Sequence, residues 1–416
     1  MPLPPWHDLK LKLVTTAFLG RFPDGQTTGE IPFPIPSLRG VLAYWLRALA
    51  GPYVGDDIAG LRQVETELFG TAAGEGPARP SRILLRSRQR IAVSEPPTEE
   101  EVTTGYAGLA YLMNQGLTND KNQKGGDGGK ARRVRPREFT VSVRNLGDPL
   151  HADLFNCALW ALRAFGGIGA RSRRGFGTLA VTAPMRHLPV KRFDLDWLHR
   201  DNIEDFSHVR ECVHAALADL DVPHGSFVST PSYPCFLDGL FYVEEHVIKN
   251  VSDDLSCLAL VGKLFRDFRR PRKNSKGRPT ITRGYDDVVR PFIAHKRPTK
   301  PFLDGAFGLP VSYTLNSGNG TATIEPVASD EILRRASPLW LRVTNIRGEW
   351  RLRSLAFYTD WLPDSVTLRL KSDGRKPEII VKPSPREVGE TIESWFAHLK
   401  KPNLGEPLRV LGSRSA

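Results

Sequence analysis

Between Glu138 and Val181 the apolar residues change period twice, and no other feature of the chain limits its fold as tightly. In "EFTVSVR", Phe139, Val141 and Val143 alternate with Thr140, Ser142 and Arg144, the period of two expected of a strand with one buried face. Asp148 and Pro149 then start a helix, the aspartate as N-cap and the proline at the first helical position. Leu154, Phe155, Ala158, Leu159 and Leu162 supply the apolar stripe of that helix. The loop "GGIGARSRRGFG" (166–177) comes next, and "TLAV" after it reads as a further strand.

Upstream, "LKLKLVT" alternates Leu9, Leu11 and Leu13 with Lys10 and Lys12, again a strand with one buried face. A proline-rich connector leads into "SLRGVLAYWLRALAG", where Ser37 is placed to cap a helix and Leu38, Val41, Leu42, Trp45, Leu46 and Leu49 share one side. Gly51 and Pro52 are expected to stop it. "RILLRSRQRI", from Arg82, reads as one more strand. The order strand, helix, strand, strand, helix, loop, strand is the split β-α-β pattern of a ferredoxin-like fold. The stretch from about 92 to 136 interrupts it, and its glycine-rich, basic run "NDKNQKGGDGGKARRVRPR" predicts a mobile insertion outside the core.

Beyond residue 188 a second α+β unit is expected. Its clearest helix, "SDDLSCLALVGKLFRDFRR", sets Leu258, Val261, Phe265 and Phe268 on one face and Lys263, Arg266 and Arg270 on the other. "PLWLRV" and "SVTLRLK" alternate as strands near the C-terminus. The predicted architecture is therefore α+β, two ferredoxin-like domains in tandem with insertions, divided as 1–188 and 189–416.

With 40% hydrophobic and 25% charged residues, the chain has the composition of a folded globular protein. No apolar run is long enough to cross a bilayer, and "MPLPPWHDLK" lacks a signal peptide's basic and apolar segments, so a cytoplasmic location away from membranes is expected. Cys157, Cys212, Cys235 and Cys257 lie far apart without zinc spacing and read as small buried residues. Lysine and arginine number 58 against 46 acidic residues, a net charge of +12, which suits either a polyanionic partner, because each cation set on a phosphate releases counterions, or a generally solubilising basic surface, and the placement of the charge decides between them.

The glycine and arginine loop has the wrong order for a dinucleotide site. Its glycines follow a helix and precede a strand, whereas a pyrophosphate loop follows a strand and opens a helix. Gly166 and Gly167 suit a helix end, and Gly175 and Gly177 suit a tight turn before the strand. That leaves Arg171, Arg173 and Arg174, whose clustering fits a polyanion held by arginines and by backbone amides. Phe176 is either a buried anchor for the loop or a stacking surface.

These residues carry a resemblance. "GGIGARSRRGFG" after a helix resembles the glycine-rich loop of the RAMP superfamily of CRISPR-associated RNA-binding proteins, and its R-S-R-R-G-F-G run is similar to the Cmr-one-like branch of type III-B effector complexes. "PSLRGVLAYWLRAL" resembles that branch's helical signature through Ser37, Arg39, Gly40, Trp45 and Arg47, and "AFGLPV" with "RRASPLWLRV" resembles its C-terminal half. The resemblance implies ferredoxin-like cores and a non-catalytic, RNA-binding subunit of a type III CRISPR RNA-guided effector. Its implied partners are guide RNA (crRNA), single-stranded target RNA and the other effector subunits. The residues expected at RNA are Gly167, Gly169, Arg171, Ser172, Arg173, Arg174 and Gly175, with Arg39, Arg47, Lys263, Arg266 and Arg270 beside them.

The alternative is a metal-independent, guide-processing endoribonuclease of the same superfamily. Such an enzyme needs a base at the scissile phosphate, commonly a histidine. The helix at 37–49 has none, and His7 and His151 read as surface or capping residues. Asp56 with Asp57, Asp253 with Asp254, and Asp286 with Asp287 are adjacent pairs that suit capping rather than a shared metal. Neither a cofactor nor a metal is expected.

Overall fold

A computed structural model describes residues 3–19, 29–71, 78–95, 102, 107–113, 132–183, 185–270, 284–315 and 320–414. The first part of the chain forms strands β1 (His7–Leu13), β2 (Ala17–Leu19), β3 (Gly29–Pro32), β4 (Ile83–Arg86), β5 (Arg90–Val93), β6 (Arg132–Val134), β7 (Glu138–Asn145) and β8 (Leu179–Ala183). Its helices are α1 (Ile35–Val54), α2 (Ile58–Phe69), α3 (Ala107–Met113) and α4 (Pro149–Phe165). Four strands make an antiparallel sheet in the order β4-β7-β1-β8. Leu9 stands opposite Val141 and Leu11 opposite Phe139, so the alternation read from the sequence buries one face.

Further along come α5 (Phe206–Asp219), β9 (Leu240–Ile248), α6 (Asp254–Arg269), β10 (Val311–Thr314), β11 (Thr321–Ala328), β12 (Glu331–Ile332), β13 (Leu339–Ile346), β14 (Glu349–Phe357), β15 (Thr367–Ser372), β16 (Glu378–Ile380) and β17 (Arg409–Arg414). β13, β14, β9 and β17 form a second four-stranded antiparallel sheet in that order. Both four-stranded sheets thus run second, third, first, fourth strand in chain order. A five-stranded sheet of β10, β11, β12, β15 and β16 completes the second part. The fold is mixed α/β with several antiparallel sheets.

α4 is buried from Leu150 through Phe165, not along one stripe alone. It touches α1, the strands of the first sheet, and β13 and β14 of the second, so both sides are covered. Its polar residues are consequently satisfied inside the protein. The Asp153 carboxylate accepts from the amides of Lys191, Arg192 and Phe193 at 3.0–3.1 Å. His151, expected as a surface or capping residue, is buried, with Nδ1 3.2 Å from the Asp148 carbonyl at the helix start and Nε2 3.1 Å from Glu67.

Other expectations are corrected by packing. α1 begins at Ile35 without a side-chain cap from Ser37 and runs through Gly51 and Pro52 to Val54. Pro52 lacks the N–H that would bond the Ala48 carbonyl. The Phe236 amide donates to that carbonyl instead, at 2.9 Å, so the helix continues without an orphaned acceptor. "RILLRSRQRI" is two strands in different sheets, β4 on β7 and β5 on β3. Of the stretch from 92 to 136, α3 packs on α6 and buries Leu109, Leu112 and Met113, and the basic end of the run forms β6 with Arg132 and Val134 buried, while its glycines lie outside the described residues. The expected boundary near 188 falls where side chains from Met185 to Val222 join the first hydrophobic cluster. All four cysteines are buried and free.

Candidate nucleic-acid interface

The loop 166–177 leaves α4, turns, and delivers the chain to β8, and its backbone is tied down along its length. Gly177 donates to the Thr16 carbonyl at 2.9 Å and Ile168 to the Gly177 carbonyl at 2.9 Å. The Ala170 amide reaches the Phe18 carbonyl at 2.8 Å, and the Thr15 hydroxyl donates to the Gly175 carbonyl at 2.8 Å. Gly169 has φ +83°, and a Cβ there would stand 2.4 Å from the Phe18 carbonyl oxygen. The close approach this glycine permits is therefore to the chain's own backbone. Gly167 and Gly175 are buried, and Ser172 is half-buried.

The arginines divide by environment. Arg173 lies over the rings of Trp340 (4.4 Å) and Tyr44 (5.4 Å), and its guanidinium donates to the Ser337 carbonyl. Its own carbonyl accepts from the Leu341 amide at 3.1 Å, so the loop joins the edge of β13. Arg174 lies over Phe265 at 4.3 Å and donates to the Phe307 carbonyl at 3.2 Å. Burial, and then Arg269 beside it, pulls its pKa down to about 9. Phe176 is fully buried, 5.3 Å from Phe18, and so serves as the loop's anchor. Arg173, Arg174 and Phe176 hold the first part of the chain to α6 and β13. Thr16 reinforces the seam, since its amide and hydroxyl both donate to Asp254 at 2.8 Å.

Arg171 differs. It sits in the left-handed region at φ +62°, is half-buried, and among the described residues its guanidinium has no hydrogen-bonding or ionic partner. Of the three loop arginines it is the one whose guanidinium bonds to nothing among the described residues, whereas Arg174 leaves its buried Nη1 unpaired.

The other expected contacts are scattered. Arg39 donates to the Phe69 carbonyl and to Gly70 at 3.3 Å, and Arg47 pairs with Glu65, so both tie α1 to α2. On α6, Lys263 is exposed, Arg266 pairs with Asp267 at 3.1 Å, and Arg270, just past the helix, lies 5.3 Å from the Tyr111 ring. α3 covers part of the face these cations were expected to share, approaching so closely that a Cβ on Gly262 would stand 2.0 Å from the Gly108 carbonyl.

Where α4 meets the second sheet lies a charge network whose members stand far apart along the chain, with no spacing pattern to connect them. Asp201 accepts from Arg163 (3.1 Å), Arg353 (3.3 Å), Arg342 (3.5 Å) and the Thr344 hydroxyl (2.9 Å). Glu245 accepts from Arg353, Arg351 and Arg409. Burial works against the Asp201 carboxylate, but the guanidiniums, led by Arg342, hold it well below the usual range. These arginines contribute to the net charge yet are spent inside.

Among the described residues no group of three or more His, Cys, Asp or Glu is placed to hold a metal, and no helix is long and apolar enough to cross a membrane. The acidic pairs have local partners: Asp57 caps α2, Asp253 caps α6, Asp286 pairs with Arg290 and Asp287 with Lys300.

Residues 10–180 match the RAMP superfamily. Over 328 residues the chain is 29% identical to the CRISPR system Cmr subunit Cmr1-1 of Pyrococcus furiosus, covering 78% of this chain and 79% of that one. It is also 29% identical over 188 residues to Cmr subunit Cmr1-2 of the same organism, 41% of this chain and 92% of that one. The apo crystal structure of Cmr1 from Pyrococcus furiosus matches in fold, with a TM-score of 0.53 at 20% identity over 94% of this chain and 96% of that one. The first part of the chain thus matches the RAMP superfamily, and over most of its length the chain is similar to the Cmr1 subunit.

Proposed function

We propose that this protein is a non-catalytic, RNA-binding subunit of a type III CRISPR RNA-guided effector, built from two ferredoxin-like units in tandem with insertions. The observation that carries this reading is the likeness to a Cmr subunit across both halves of the chain. The shared strand order of the two four-stranded sheets supports the ferredoxin-like assignment. Guide RNA, single-stranded target RNA and neighbouring effector subunits are its partners, and a net charge of +12 suits that company. Within the loop, Arg171 is the contact to phosphate, while Gly167, Gly169, Ser172, Arg173, Arg174 and Gly175 fix the loop that presents it. Lys263, exposed on α6, is the corresponding cation of the second part.

Titration of labelled single-stranded RNA at increasing salt tests this. With six phosphates engaged, affinity should fall roughly 300-fold between about 50 and 200 mM salt. A flat profile contradicts RNA binding. Incubating repeat-sequence RNA with the protein, with and without EDTA, tests the absence of catalysis, and discrete products would establish the endoribonuclease instead.

A further inference from the structure

The outer face of the first sheet carries a feature that the loop does not explain. β1 turns Leu9, Leu11 and Leu13 inward and leaves Lys10 and Lys12 exposed. On the same outer face the register brings Arg144 of β7 opposite Leu84, two residues from Arg86 of β4. Trp6, just before β1, gathers both cations: the Arg86 guanidinium lies 3.8 Å and that of Arg144 4.5 Å from its ring centroid. Two like charges drawn to one ring repel each other, and the Nε of each is buried without a hydrogen-bond partner among the described residues. Arg88, exposed in the turn after β4, adds a further cation. The acids nearby are Asp8, which accepts from the Ser142 hydroxyl at 2.9 Å, and Glu138, opposite Lys12 at the far end of the register.

We propose that this face is a second RNA-binding site, at which Trp6 holds Arg86 and Arg144 together to receive backbone phosphates of a single strand that continues across Lys10 and Lys12. The assignment rests on the RNA-binding reading above and gives it a surface distinct from the loop. The physical reason is charge complementarity. Asp8, opposite Ser142 as Arg86 is, offsets only part of this charge, and a phosphate bridging the two guanidiniums adds to it and relieves their repulsion, arginine's planar donors suiting phosphate oxygens. An open sheet face is wide enough for several nucleotides, with lysines spaced along β1 to follow the backbone. Arg86 is held below the ordinary arginine value, first by burial and then by Arg88 and Arg144, with Asp8 opposing them, consistent with cations that outweigh their local counter-charge.

The test uses the full chain and a labelled single-stranded RNA, with affinity measured across salt concentrations. Arg86→Ala with Arg144→Ala should weaken binding on the order of tenfold and reduce the magnitude of the log–log salt slope by about 1.4, two phosphate contacts at about 0.7 each. Trp6→Leu leaves every cation in place, so it should weaken binding while leaving the slope unchanged, which separates positioning from charge. Circular dichroism and melting temperature establish that each variant is folded. If the wild-type chain binds RNA and the double variant binds it with unchanged affinity and slope, this face is not a site, although the RNA-binding reading stands. If the wild-type chain itself shows no salt-dependent RNA binding, both are overturned. Loss of binding to polyglutamate with RNA binding intact would assign the face to an acidic protein partner and overturn the proposal.

Discussion

Replacing Asp201 by asparagine tests how the two parts of the chain are joined. The carboxylate is the shared acceptor of Arg163, Arg342 and Arg353, whose side chains are 2%, 1% and 0% exposed. Asparagine nearly preserves the shape and can still accept one hydrogen bond, but it removes the charge. Arg353 retains Glu245, whereas Arg163 and Arg342 keep only the carbonyls of Trp197 and Leu179, each at 3.2 Å. Removing one partner from a buried ion pair costs about 3–5 kcal/mol, and the residual hydrogen bonds place this variant near the lower end, about 3 kcal/mol. Urea unfolding followed by tryptophan fluorescence is the suitable assay, because guanidinium chloride would screen the charges under study. The pH dependence adds a second arm. Asp201 has a folded pKa below its unfolded value, so its contribution is fully present above the unfolded value and is lost as pH falls through the folded one. The gap between wild type and Asp201→Asn should therefore be constant near neutrality and narrow as pH falls below about 3.9. An unchanged urea midpoint at pH 7, or a gap that widens in acid, refutes the network as a source of stability.

Three further outcomes follow from local geometry. Gly169→Ala should destabilise by about 2–4 kcal/mol in the same assay, since it combines a positive φ with a clash at the Phe18 carbonyl that the Ala170 amide also uses. Pro52→Ala should change the melting temperature little, because the new amide finds the Ala48 carbonyl already bonded to Phe236 and gains less than the roughly 3 kcal/mol a mid-helix proline usually costs. Arg171→Ala should weaken RNA binding with melting unchanged, whereas Arg174→Ala should shift melting, because it empties a seat between Phe265 and the Phe307 carbonyl. Anisotropy and differential scanning calorimetry on the two variants check both halves of that contrast.

The sequence reveals what is local and conceals what depends on a distant partner. The alternation in β1 and β7 and the start of α4 at Asp148 are set by neighbouring residues, and they appear as read. Pro52 looks like a stop in the sequence because the donor that rescues Ala48 lies at Phe236, far along the chain. The all-round burial of α4 has no local signature because its second covering layer, β13 and β14, comes after residue 338. At the loop, clustered arginines announced charge but not direction. Arg173 and Arg174 turn toward aromatic rings contributed by Tyr44, Phe265 and Trp340, which no spacing rule connects. The same limit hid Trp6, Arg86 and Arg144, three residues on separate segments that only strand register brings together. Their visible signal was outward placement: Arg144 alternates with the buried valines of β7, and Lys10 and Lys12 with the buried leucines of β1.

The proposed function puts this chain in contact with RNA inside an effector complex. Reconstituting the complex with a guide and target RNA carrying photoactivatable uridines, then mapping crosslinked peptides by mass spectrometry, tests it most directly. Crosslinks at the loop 166–177, centred on Arg171, are expected, with further crosslinks on the outer face of the first sheet. A fully assembled complex that yields RNA crosslinks to its other subunits and none to this chain would contradict the account.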